Sequence, residues 1–183
     1  MLEKLEFTTP IFAIDPGPHI SGYVEYDCVS QKPMASGLMP NPKLRKLLKK
    51  SKYQAMVYEK IQGMGMMPSK ETFTTCEEVG RMIECFKGEV IPLTRHQVKL
   101  LICGTMRAKD ANIRAAIIDM YGDGKVEAIG NKKSQGPLYG VKSHAWQALA
   151  LVKALERKAH DDRAAGNTEA ARELEEAGKS KGS

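Results

Sequence analysis

Two carboxylates stand where apolar runs end. Asp15 follows Ile11-Phe12-Ala13-Ile14, and Glu59 follows Ala55-Met56-Val57-Tyr58. Short apolar runs bounded by turn residues read as buried strands. In open α/β sheets, functional groups collect beyond the carboxyl ends of the strands. If these two strands are neighbours, the acids converge and repel one another unless a cation neutralises them. Hard oxygen ligands of this kind suit Mg2+, with Mn2+ as the alternative. Either acid alone reads more simply as a solvated strand end. The pair is what points to chemistry.

His144 is the third candidate. On a helix, His144, Gln147, Ala148, Leu151 and Leu155 share one side, the apolar side that faces a sheet. A histidine there ordinarily reads as a hydrogen-bonded core residue. This one stands at the first turn, aimed at the strand ends.

Cations for a phosphate backbone come in three groups. Lys43, Arg45, Lys46, Lys49, Lys50 and Lys52 lie between Asn41 and Tyr53 with no acid among them. Leu44, Leu47 and Leu48 recur there at helical spacing, so one face packs and the other is cationic. Arg107 and Lys109 lie in the link between two predicted helices, Gly104 to Asp110. Lys125, Lys132, Lys133 and Lys142 lie in or just after the polar stretch Gly122 to Tyr139. Each group also reads as plain solvated charge, and only a neighbouring acidic site gives it a task. Met64, Met66 and Met67 follow Glu59 closely. Apolar residues in such a loop read either as folded back on the core or as a wedge between stacked bases.

The elements that position these residues follow from turn and breaker signals. Asp15-Pro16-Gly17-Pro18 ends the first strand. Gly22 to Cys28 alternates as a second strand, and Met34 to Met39 is a third; tight turns make the three an antiparallel meander. Pro42 opens the basic helix. Ala55–Tyr58 is the fourth strand. Ser69 to Lys87 reads as a long helix, and Val90–Leu93 as the fifth strand, parallel to the fourth. Thr94 caps a helix over Arg95–Cys103, and Lys109–Tyr121 is another. Gly122 to Tyr139 reads as a mobile loop, and Ser143 as the N-cap of a last helix from His144 to about Lys158. The fold class is α/β, a mixed five-stranded sheet with helices on both faces.

Composition agrees with a single globular domain. The chain has 183 residues, 42% apolar and 27% charged, with a net charge of +6, which excludes a wholly disordered chain. Residues 155–183 hold six Lys/Arg against seven Asp/Glu, so the body carries +7 and the tail −1. The expected division is a globular domain over 8–159 and a charged tail over 160–183, helical or disordered. Cys28, Cys76, Cys85 and Cys103 form no CxxC pair and are expected to be reduced thiols. There is no apolar run long enough to span a membrane. Met1 to Pro10 has no apolar core of a secretory signal, so the expected location is cytoplasmic.

Four segments in order then resemble one family. They are Ile11-Phe12-Ala13-Ile14-Asp15-Pro16-Gly17-Pro18; Val57-Tyr58-Glu59; Arg95-His96-Gln97-Val98-Lys99 with Cys103-Gly104-Thr105-Met106-Arg107-Ala108-Lys109; and Lys142-Ser143-His144-Ala145-Trp146-Gln147-Ala148-Leu149-Ala150. Together they resemble the RuvC-type Holliday-junction resolvases of the RNase H-like superfamily, over about residues 10–156. Gly63 to Gly80 and Gly136-Pro137-Leu138-Tyr139-Gly140 resemble the phage and prophage branch. The resemblance implies an RNase H-like fold, a homodimer, and Mg2+-dependent cleavage of branched DNA leaving 5′-phosphate and 3′-hydroxyl ends. It implies a bacterial cell or phage-infected host. Asp15, Glu59 and His144 match the family's first three acidic or histidine positions. Gln147 departs from the fourth, where many relatives carry Asp; its carboxamide oxygen can ligate a cation but brings no charge. Lys109 falls where the family places a basic residue near the scissile phosphate.

Two other functions compete. One is a branched-DNA-binding protein with weak or lost catalysis, favoured by Gln147 and His144. The other is a different RNase H-like nuclease, for example one acting on RNA–DNA hybrids.

Overall fold

The computed structural model describes residues 10–63, 65 and 67–180, with side chains through residue 166. Met64, Met66 and most of the segment Met1 to Pro10 lie outside the described residues.

Three strands open the chain: β1 Ile11–Asp15, β2 Ile20–Asp27 and β3 Lys32–Pro40. Helix α1 Asn41–Lys50, strand β4 Ala55–Lys60, helix α2 Lys70–Cys85 and strand β5 Glu89–Thr94 follow. Helices α3 Arg95–Cys103, α4 Asp110–Met120, α5 Lys125–Ala128 and α6 Ala145–Ser180 complete it. The sheet order is β3-β2-β1-β4-β5. β1 pairs antiparallel with β2, and β2 with β3; β1 pairs parallel with β4, and β4 with β5. The meander and the parallel pair are therefore as the sequence predicts.

Strand alternation sorts the core into two layers. Phe12, Ile14 and Met56 point to one face, where α1 and α2 cover them with Leu44, Leu48, Met82 and Phe86. Ile11, Ala13, Val57 and Leu93 point to the other, packed against Ala148, Leu151, Val152 and Leu155 of α6 and Ile113 and Ile117 of α4. Asp15 and Glu59 continue this second series, so they belong to the α6 face. A strand buried on both sides has no polar face to spare, which is why β1 reads as an unbroken apolar run.

Local chemistry sets the ends. Pro42 sits in the first turn of α1, where its missing N–H costs nothing. The Asn41 side chain is buried: its amide donates to the Gly17 carbonyl (2.9 Å) and its oxygen accepts from the Ser21 hydroxyl (2.8 Å). These bonds tie the start of α1 to the turn that follows Asp15. Thr94 and Gln97 form a reciprocal capping box at the start of α3. Gly104 ends that helix at φ 68°, a left-handed position that suits glycine.

Three expectations need correcting. The stretch 122–139 is not a loose loop. It contains α5 and a bridge between Gly130 and Gln135, and it buries Ala128 and Leu138 completely. Its polar composition hides the anchoring role of these two residues, with the Leu138 N–H bonded to the Ala128 carbonyl at 2.8 Å. Nor does Ser143 take an N-cap conformation. It lies at φ 47°, in the left-handed region, because the chain must turn sharply from buried Val141 to bring His144 onto the sheet. The last helix ends not near Lys158 but at Ser180, so residues 160–180 take the helical form of the two expected, while burial along its described side chains ends at Ala159. No helix among the described residues is long and apolar enough to cross a membrane. The four cysteines are unpaired.

Candidate active site

Parallel pairing of β1 with β4 aligns Ile14 with Tyr58. Asp15 and Glu59 are the next residues on each strand, about 5 Å apart in backbone and on the same face. The two convergent acids are thus brought together. Both side chains are mostly buried, 15% and 19% exposed. Burial pushes the Asp15 carboxyl above its ordinary range, and the His144 hydrogen bond and charge offset this only in part. Burial likewise raises Glu59, with the Arg95 charge pulling down and Asp15 and Asp110 pushing further up. An acid pair held in this way gains from any cation that reaches it.

His144 Nδ1 lies 2.9 Å from Asp15 Oδ2. The residue precedes α6 and its side chain is largely exposed, 66%, so it is not a core histidine. Gly22 makes this possible. It pairs with Asp15 across β1 and β2, and a β-carbon there would meet the His144 backbone and Cβ at 2.5–2.7 Å. A glycine inside a strand is the sequence signal for such a close approach, and sequence reasoning passed over it.

Sequence reasoning also missed Arg95 and Asp110. The Arg95 guanidinium reaches Glu59 Oε2 at 3.3 Å and makes a short ion pair with Asp110. Asp110 opens α4, and the Gln147 side chain bonds to it. Burial pushes Asp110 up, but the Arg95 bond and charge and the Gln147 bond outweigh it, so its carboxyl lies below the ordinary range. Gln147 Oε1 is buried with no partner. Glu59, Lys60, Arg95, His96 and Lys99 line a cleft of about 230 Å³ beside the acids.

The remaining predicted residues are spread out. Lys109 and Arg107 are exposed in the α3–α4 link, with Lys109 directly before Asp110. Lys142, exposed, is two residues from His144; Lys132 and Lys133 are exposed in the turn closed by the Gly130–Gln135 bridge. The α1 cations lie on the opposite face of the sheet. Lys43, Lys46 and Lys50 line an open groove of about 770 Å³ with Leu47, Tyr53 and Pro10, near the start of β1 and so at the other end from Asp15. Lys49 is exposed, whereas Arg45 is taken up in an ion pair with the buried Glu78. Met67 is 94% exposed. The Arg114 guanidinium stacks on Trp146, 4.6 Å from the ring centroid, one residue before Gln147.

Among the described residues, no three His, Cys, Asp or Glu side chains close on one point as a finished metal cage would. The donor chemistry nonetheless fits a hard cation. Two repelling carboxylates and an orphaned carboxamide oxygen all lie on the α6 face of the sheet, at the C-terminal ends of β1 and β4.

No protein-family model and no curated protein matches the chain. Solved structures do. The RuvC structure of Thermus thermophilus superposes with a TM-score of 0.57 at 14% identity, covering 84% of this chain and 97% of that one. The T. thermophilus RuvC in complex with Holliday junction substrate superposes at 0.55 and 13% identity, covering 83% and 95%. At such identities the likeness carries the fold alone: this chain has a RuvC-like α/β fold.

Proposed function

We propose that the chain is a metal-dependent endonuclease that cuts branched DNA by phosphodiester hydrolysis, acting as a homodimer. The observation that carries this reading is the buried Asp15–Glu59 pair with His144 on Asp15, at the strand ends of a sheet that resembles RuvC. The junction-bound neighbour supports a four-way or otherwise branched substrate.

Asp15 and Glu59 would hold Mg2+, with the Gln147 oxygen as a neutral donor. The chemistry such an ion supplies when bound is activation of a water and stabilisation of an in-line displacement at phosphorus. His144 fixes the Asp15 rotamer through Oδ2 and leaves Oδ1 free. Lys60 and Lys99 line the adjoining cleft beside His96 and grip a phosphate backbone by charge. Lys109 and Arg107 neutralise charge that builds on the phosphate. Asp15 and Glu59 are mostly buried, so charge interactions at the acid pair are less screened by water than on an open surface.

The test is cleavage of a labelled four-way junction in Mg2+, beside fork, duplex and RNA–DNA hybrid substrates. The expected result is cutting of branched DNA by the wild type, and loss of cutting with retained binding in Asp15→Asn and Glu59→Gln. Full cleavage by both variants would remove the site assignment. A second reading, junction binding with weak catalysis, is favoured by the amide at position 147. It predicts binding with no Mg2+-dependent cutting.

A further inference from the structure

Arg95 occupies the flank of Glu59 that faces α3 and α4. Its backbone is fixed by the Thr94 capping box at the end of β5. Its guanidinium is one-quarter exposed and forks between Glu59 Oε2 and Asp110 Oδ1. Asp110 holds it more closely than Glu59 does, and the Gln147 amide steadies Asp110. The Arg95 contact engages one Glu59 oxygen, Oε2. A guanidinium is planar and permanently charged, and it can bridge two carboxylates without any ion having to bind. A second divalent ion beside Glu59 would lie against that positive charge. The residue on α6 that could offset it, Gln147, is uncharged.

We propose that Arg95 takes the place of a second divalent cation: the site holds one ion, on Asp15 and Glu59, and the Asp110-anchored guanidinium supplies the other positive charge. The inference rests on the metal-dependent reading above. Arg95 is therefore a charge-supplying residue built into the fold, and Asp110 is its positioning residue. Sequence distance hid the arrangement, since Arg95 and Asp110 sit on different helices.

The experiment counts ions. The full-length chain is titrated with Mn2+, and free Mn2+ is read by electron paramagnetic resonance. The Asp15→Asn/Glu59→Gln double variant sets the background from surface sites. Above that background, one Mn2+ per wild-type chain is expected. Two are expected in Arg95→Gln/Gln147→Asp, which removes the guanidinium and restores a carboxylate. Circular dichroism checks that this variant folds; if it does not, Arg95→Gln alone is read, again with two ions expected. Two ions in the wild type overturn the inference and leave the nuclease reading standing. One ion in the folded variant does the same. No ion in the wild type overturns both.

Discussion

The β-carbon that Gly22 lacks would stand 2.5 Å from the carbonyl oxygen of His144. The strand and the start of α6 touch backbone to backbone, and this approach delivers the imidazole to Asp15. Gly22→Ala forces them apart. We expect a loss of about 1–3 kcal/mol of stability, as for other overpacked sites, measured by denaturant unfolding. The His144 ring signals in NMR should lose their dependence on the Asp15 carboxylate, and junction cutting should fall with them.

Asp15 and Glu59 both have carboxyls raised in the folded chain, chiefly by burial. Between the unfolded value and the raised folded value, the folded state binds more protons than the unfolded. Without metal, stability therefore falls as pH rises through that window. Asp15→Asn should flatten this fall and melt higher than wild type at about pH 7. Asp110 carries the opposite sign: its depressed carboxyl contributes stability that is lost as pH drops through its folded value. Asp110→Asn should therefore weaken the chain near neutrality and leave it unchanged in acid. Thermal melts in chelator across pH check both.

If the acid pair holds Mg2+ as proposed, only the folded state binds the ion, and added Mg2+ should raise the wild-type melting temperature with concentration. The same additions should leave Asp15→Asn/Glu59→Gln unmoved. Equal shifts in both would mean that the ion binds elsewhere.

Leu138 is wholly buried against the α6 layer. Leu138→Ala should cost about 2–5 kcal/mol, seen in chemical denaturation. A cost near zero would return residues 122–139 to the status of a loose loop.

Lys43, Lys46 and Lys50 share a groove remote from the acids. If DNA lies in it, changing all three to Ala weakens junction binding and lowers the salt slope by about 0.9 for each phosphate no longer neutralised. Cutting at saturating enzyme should be retained. An unchanged slope would leave the groove outside the DNA path.

Sequence reading was strongest where a residue's role follows from its neighbours in the chain. The strand endings at Asp15 and Glu59, the Thr94 cap and the Pro42 start all announce themselves within a few residues. It failed where two distant segments meet. Arg95, Asp110 and Gln147 converge only because α3, α4 and α6 pack together, and nothing local marks them as partners. Gly22 did carry a local signal, a glycine within an alternating strand, but its partner lies more than a hundred residues away. Residues 122–139 misled because two buried side chains outweigh many polar ones.

Trp146 is the chain's single tryptophan. It lies between His144 and Gln147 in sequence and is 7% exposed beneath the Arg114 guanidinium. The molecule therefore carries its own optical probe. Indole emission responds to nearby charge, so events at the acid pair can be followed in unlabelled protein at micromolar concentration. Stopped-flow mixing with Mg2+ or with junction DNA would then test the proposed binding of each in time, without any dye on the protein surface.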